Sequence, residues 1–161
     1  MKNNIIKAII ALSFIAIIIT GYLVFIHYNP ALKSPCEINN KISCKAVDES
    51  SYSKFFQAVG LEEITYIIGF DIPVALIGFL AYMALFILSI LIYNKPDFEM
   101  QGAIRNYKIA IFALSFAGFI FSMYLSYIEA FVLGAWCLFC IAQTIIITVI
   151  FAIAIILLRS K

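Results

Sequence analysis

Four apolar runs leave this chain few folds to choose from. They are Ile5–Ile26, broken only by Lys7 near its start, Ile72–Tyr93, Ile109–Ile128 and Cys137–Leu158. Each is about 20 residues long, enough to cross a hydrocarbon layer of about 30 Å at about 1.5 Å per residue. Lipid offers no water to backbone N–H and C=O groups, so each run is expected to be a helix. Composition points the same way. Hydrophobic residues make up 65% of the 161 and charged residues 12%, where soluble domains carry about 45–50% and about 25%. The net charge of +2, with no basic patch interleaved with aromatics, gives no footing for a nucleic-acid partner. The expected fold is all-α, an integral membrane four-helix bundle. It forms a single domain over residues 1–161 with helices at about 5–26, 72–93, 109–128 and 137–158.

The first run follows Lys2 and contains Lys7, as a signal peptide would. Its apolar stretch exceeds the ~7–15 residues of a signal core, and no small-x-small site comes before Tyr28, so it is read as a retained helix. The remaining segments are loops at Tyr28–Asp71, Asn94–Lys108 and Glu129–Trp136. Asn29-Pro30 ends the first helix and Asn94-Lys95-Pro96-Asp97 makes a turn. Pro73 falls in the first turn of the second helix, where its missing N–H costs nothing, and Asp71 is placed to cap it. Within the long loop, Phe55, Phe56 and Val59 stand at helical spacing before Gly60, and Ile64, Ile67 and Ile68 continue the pattern. This is either a helix on the membrane surface or an ordinary amphipathic loop helix.

Lysine and arginine set the orientation. Lys2, Lys7, Lys95, Arg105, Lys108, Arg159 and Lys161 share one side if both termini do. Lys33, Lys41, Lys45 and Lys54 lie in the long loop, where the positive-inside bias weakens, and Glu129–Trp136 has no Lys or Arg. Both termini are therefore expected in the cytoplasm, at the plasma membrane, with loop 28–71 and the start of the fourth helix outside.

All four cysteines then fall on or near the outward side, where thiols pair readily. Cys137-Leu138-Phe139-Cys140 is a C-x-x-C at a helix start. Residues three apart share a helix face, so these sulfurs can approach bonding distance. The helix N-terminus favours thiolate, the form that attacks disulfides. Cys36 and Cys44 form a second pair in a polar segment. Alone, such a pair reads equally as a structural staple or a mobile redox couple. Beside the C-x-x-C it reads as half of a relay.

The order of these parts resembles the vitamin K epoxide reductase family, including its prokaryotic homologues, over nearly the whole chain. The parts that carry the resemblance are Cys36-x7-Cys44 in the first outward loop, the order of the two pairs, and Trp136-Cys137-Leu138-Phe139-Cys140 opening the fourth span. The resemblance implies disulfides Cys36–Cys44 and Cys137–Cys140 and four catalytic cysteines. Cys36 would take electrons from the C-x-x-C of a thioredoxin-fold, DsbA-like partner on the outward side. Cys44 would exchange with Cys137, and Cys140 would lie nearest a quinone of the ubiquinone or menaquinone type. Each transfer is a thiolate attack through a mixed disulfide. Many bacterial members carry a fused thioredoxin-like domain after a fifth helix. Here the sequence ends at Lys161, so the partner is expected to be a separate protein. Ser50, six residues after Cys44, matches a Ser/Thr that the family places beside its active site; read from the residues alone it is first a cap for the surface helix. Two departures stand out. Vertebrate enzymes have a tyrosine where this chain has Thr144, and an asparagine where it has Ile72-Pro73-Val74-Ala75. Both favour quinone reduction coupled to disulfide formation over reduction of vitamin K epoxide.

Other candidates carry less. Trp136 reads as an interfacial aromatic or a wall of the quinone pocket, and Tyr124 and Tyr127 as interfacial or packing residues within reach of a quinone carbonyl. His27 reads as a boundary residue, and Glu129 as an exposed carboxylate at the outward end of the third helix. The nearest rival, the DsbB type, places its C-x-x-C in the first outward loop, the reverse of the order here. Two rivals lack catalysis: a metal site made by the four cysteines, for which no metal is expected, and a membrane scaffold stapled by its disulfides.

Overall fold

The structure, a computed structural model, describes residues 2–29, 36, 43, 44, 47, 50, 53, 72–94 and 101–159. Four long helices account for most of them: α1 (Lys2–His27), α2 (Val74–Asn94), α3 (Gln101–Ile128) and α4 (Leu138–Arg159). All four are long and apolar enough to cross a membrane, so the chain is a multi-pass membrane protein with an all-α bundle. The surface helix expected beyond Ser50 lies outside the described residues apart from Ser53, as does the Asp71 cap.

Each helix packs on two neighbours, α1 on α2 and α4, and α3 on α2 and α4. Side-chain contacts fix these neighbours as antiparallel. Phe14 meets Phe86 with ring centroids 6.0 Å apart, and Lys7 Nζ stands 5.8 Å from the Tyr93 ring centroid. Tyr22 meets Phe139 edge-on at 5.5 Å, and Phe112, Phe116 and Phe119 surround Phe151. Both ends of the described chain therefore share one end of the bundle.

Lipid does not drive apolar helices together, so small residues must let them approach closely. Ser13, Ala16, Ser89, Ser115 and Ala154 are buried between helices. A Cβ on Gly118 would stand 3.2 Å from Ile147, which shows how near α3 runs to α4. Thr20, Ser89 and Ser115 satisfy their hydroxyls on backbone carbonyls of their own helices, at Ala16, Leu85 and Phe112. The apolar core runs from Ile6, Ile9, Ile92, Ile111 and Leu157 up to Ala16, Tyr82 and Ile147. Exposed Phe14, Ile18 and Leu80 face outward as residues in contact with lipid should.

Two helix boundaries differ from the sequence expectation. α3 begins at Gln101, eight residues before the apolar run, so much of the expected loop 94–108 is helix. Hydropathy marks only the lipid-matched part of a helix; Gln101 to Lys108 can wind on without being apolar. At its far end α3 runs into a single π-turn, Glu129–Leu133, closed by Gly134 at φ 61°. That left-handed residue is where glycine is needed, and it frees Ala135, Trp136 and Cys137 to start α4.

Candidate functional site

Two short connections build the site. Cys137 stands just before α4, its carbonyl accepting the Ile141 N–H at 3.0 Å, and Cys140 follows in the first turn. The Ser43 N–H donates to the Trp136 carbonyl at 3.1 Å. Each partner in that bond is the residue before a cysteine, so one backbone bond brings Cys44 to Cys137. The Cys137 Sγ lies 3.0 Å from the Cys44 Sγ, across 93 residues of sequence.

Cys36 and Cys44 are joined in a disulfide with Cα atoms 5.8 Å apart, and the Cys44 N–H donates to the Cys36 Sγ at 3.1 Å. Cys137 and Cys140 carry free sulfurs. Cys36, Cys44 and Cys137 are all buried and pack with Val47 and Phe139. The Cys140 side chain bonds to Cys137 and holds its thiol below the ordinary range, outweighing burial and the nearby Glu129 charge, which push it up.

A metal reading also draws on these residues, because the Cys36, Cys44 and Cys137 sulfurs lie within 4.8 Å of one another. Metal binding needs thiolates, however, and two of the three sulfurs here are bonded to each other. A disulfide with a thiol sulfur beside one of its two atoms is the arrangement of thiol–disulfide exchange.

Behind the cysteines the bundle opens into a cavity of about 330 Å³, lined by residues of all four helices. Its walls are mainly apolar, with Leu23, Ala81, Leu114 and Phe121 among them. Cys140 and Glu129 stand at the cysteine end. On one wall Ser122 and Thr144 share a hydrogen bond of 2.7 Å, with Ser126 3.3 Å from the same Thr144 hydroxyl. Gln143 donates to the Ala16 carbonyl at 3.1 Å, and its buried Oε1 has no partner.

Several expectations change here. Glu129 is 3% exposed, not a solvated end-of-helix carboxylate. The π-turn carries it inward, where its Oε2 accepts the Cys137 N–H at 3.2 Å and it lines the cavity beside Cys140. Trp136, Tyr124 and Tyr127 are not among the described residues lining the cavity. All three are exposed, and Trp136 serves the site through its carbonyl. Ser50 donates to the Val47 carbonyl at 2.6 Å, closing a turn, and is likewise not among the lining residues. His27 ends α1 with its ring edge-on to Tyr28. Sequence reasoning missed Gln143, Ser122 and Ser126, which carry no motif. It could have found Glu129, the only charged residue between Lys108 and Arg159.

The sequence pattern of the Vitamin K epoxide reductase family matches residues 7–155, more than nine-tenths of the chain. No curated protein matches it. With that match, four membrane-spanning helices and cysteines poised for exchange, the chain belongs to the Vitamin K epoxide reductase family and is a membrane oxidoreductase.

Proposed function

We propose that this chain passes electrons from a thioredoxin-fold, DsbA-like protein through Cys36/Cys44 to Cys137/Cys140 and on to a quinone, supporting disulfide formation in other proteins. The observation that carries the reading is the 3.0 Å approach of Cys137 to Cys44, with Cys140 on the cavity behind them. In this scheme a thiolate of the reduced partner attacks Cys36, Cys44 leaves as a thiolate, and the partner's second cysteine resolves the mixed disulfide and leaves the partner oxidised. Cys44 then attacks Cys137, and Cys140 leaves as a thiol facing the cavity. A quinone supplies the two-electron acceptor.

The cavity's residues fit such a ring. Its volume lies in the range of small-molecule sites, which are mostly apolar with a few placed polar groups. The Ser122, Ser126 and Thr144 hydroxyls can donate to a carbonyl oxygen, and the orphaned Gln143 Oε1 can accept from a quinol hydroxyl. The cysteines are assigned to the extracytoplasmic face of the plasma membrane and both termini to the cytoplasm, on the lysine and arginine distribution.

The test is reconstitution in liposomes with a reduced thioredoxin-fold protein and either menaquinone or ubiquinone. Wild type should reduce the quinone as the partner is oxidised. Cys137→Ser and Cys140→Ser should each stop quinone reduction, and a Cys44→Ser chain mixed instead with the oxidised partner should trap it on Cys36. Partner oxidation that persists in both C-x-x-C variants contradicts the reading.

A further inference from the structure

Glu129 has a place in the site that packing does not explain. A carboxylate buried among membrane helices is costly and needs compensation. Among the described residues lining its cavity there is no lysine, arginine or histidine to supply it. It sits instead against the C-x-x-C. One oxygen accepts the Cys137 N–H at 3.2 Å, and Glu129 lines the same cavity as Cys140. Cys137 and Glu129 therefore stand together at the cysteine end of the cavity, onto which Cys140 and Glu129 both open. The π-turn holds it there; such turns are frequent at functional sites.

We propose that Glu129 is a catalytic proton carrier between the Cys137/Cys140 pair and the acceptor bound in the cavity. The proposal rests on the quinone-linked reading above. In one turnover a bond forms between the Cys137 and Cys140 sulfurs, and the dithiol loses two electrons and two protons. Both electrons and both protons end on the quinone, which leaves as quinol. The Cys140 proton goes to the Glu129 carboxylate and from there into the cavity. The Cys137 proton leaves by the same carboxylate once the first has passed on, and Glu129 ends the cycle ionised as it began. Sulfur and quinone oxygen then need no water to exchange protons, in a space walled mainly by apolar side chains.

Glu129→Gln is the informative variant. It keeps an oxygen for the Cys137 N–H and removes the group that takes a proton. The first measurement uses no quinone. The Cys137/Cys140 pair of the full chain in lipid nanodiscs is oxidised by a soluble disulfide while infrared difference spectra are recorded. With no quinone to receive it, the proton stays on Glu129. Wild type should gain a carboxylic acid C=O band that Glu129→Gln lacks. The second measurement is turnover with quinone, expected to fall about 10²-fold in Glu129→Gln. Electron transfer from Cys36/Cys44 to Cys137/Cys140, followed by quenching with an alkylating reagent, should change far less than quinone turnover does. Absence of the band in wild type, or full quinone turnover in the variant, overturns the proposal. Equal loss of internal exchange and turnover, with Glu129→Asp failing alike, reduces Glu129 to a backbone acceptor and overturns it too. If wild type exchanges thiols yet never turns over with quinone, the quinone-linked reading fails, and the infrared band still decides the role of Glu129.

Discussion

Cys137 has neighbours that pull its thiol in opposite directions. The Cys140 side chain bonds it and lowers its pKa, burial raises it, and the Glu129 charge raises it further; the lowering wins. A group with a lowered pKa becomes thiolate at lower pH, so Cys137 should react with a small alkylating reagent at a pH below the ~8.5 of an ordinary thiol. Cys140→Ala removes the largest lowering influence and should move the alkylation profile of Cys137 back up. An unmoved profile would mean that the helix end, not Cys140, sets the thiolate. At this scale the cysteines were legible because C-x-x-C at a helix start is a local pattern. The burial of Glu129 was not. An exposed carboxylate and a buried one look alike at the end of an apolar run, and the difference here is made by a π-turn with no sequence signature of its own.

The connection between α3 and α4 is where backbone conformation meets chemistry. Gly134 holds φ at 61° with nothing within 4 Å of where a Cβ would sit. Gly134→Ala should therefore cost about 1–2 kcal/mol from conformation alone. It should also loosen the Ala135-Trp136-Cys137 strap that meets Ser43. Gly102 lies in α3 with equally open space, and Gly102→Ala should stabilise by up to about 1 kcal/mol. Denaturant unfolding of the two variants in the same detergent checks the opposite signs. Equal effects would deny the left-handed turn its role. The four helices themselves were plain in the sequence, because a span of lipid length admits little else. Their ends were not, because winding continues past the apolar residues at Gln101 and stops at Gly134 for a conformational reason.

Across the whole molecule the bundle is close-packed toward its two termini and open toward its cysteines. Around Ile9, Ile111, Ile150 and Leu157 the interior is filled. Between Tyr82, Ser122, Gln143 and Thr144 it leaves a cavity whose polar groups cluster on a few helix faces. Such a cavity belongs to no single helix, and only the neighbour order of all four creates it. The order of the cysteine pairs was readable along the chain. Their meeting was not, because it depends on the bond from the Ser43 N–H to the Trp136 carbonyl. That meeting is the claim on which the function depends, and one cross-link tests it. A chain carrying Cys36→Ser and Cys140→Ser keeps only Cys44 and Cys137. Mild oxidation in membranes, then peptide mapping without reductant, should recover an intramolecular Cys44–Cys137 disulfide in nearly all molecules. Two thiols left open to alkylation, or disulfides only between separate chains, would contradict it.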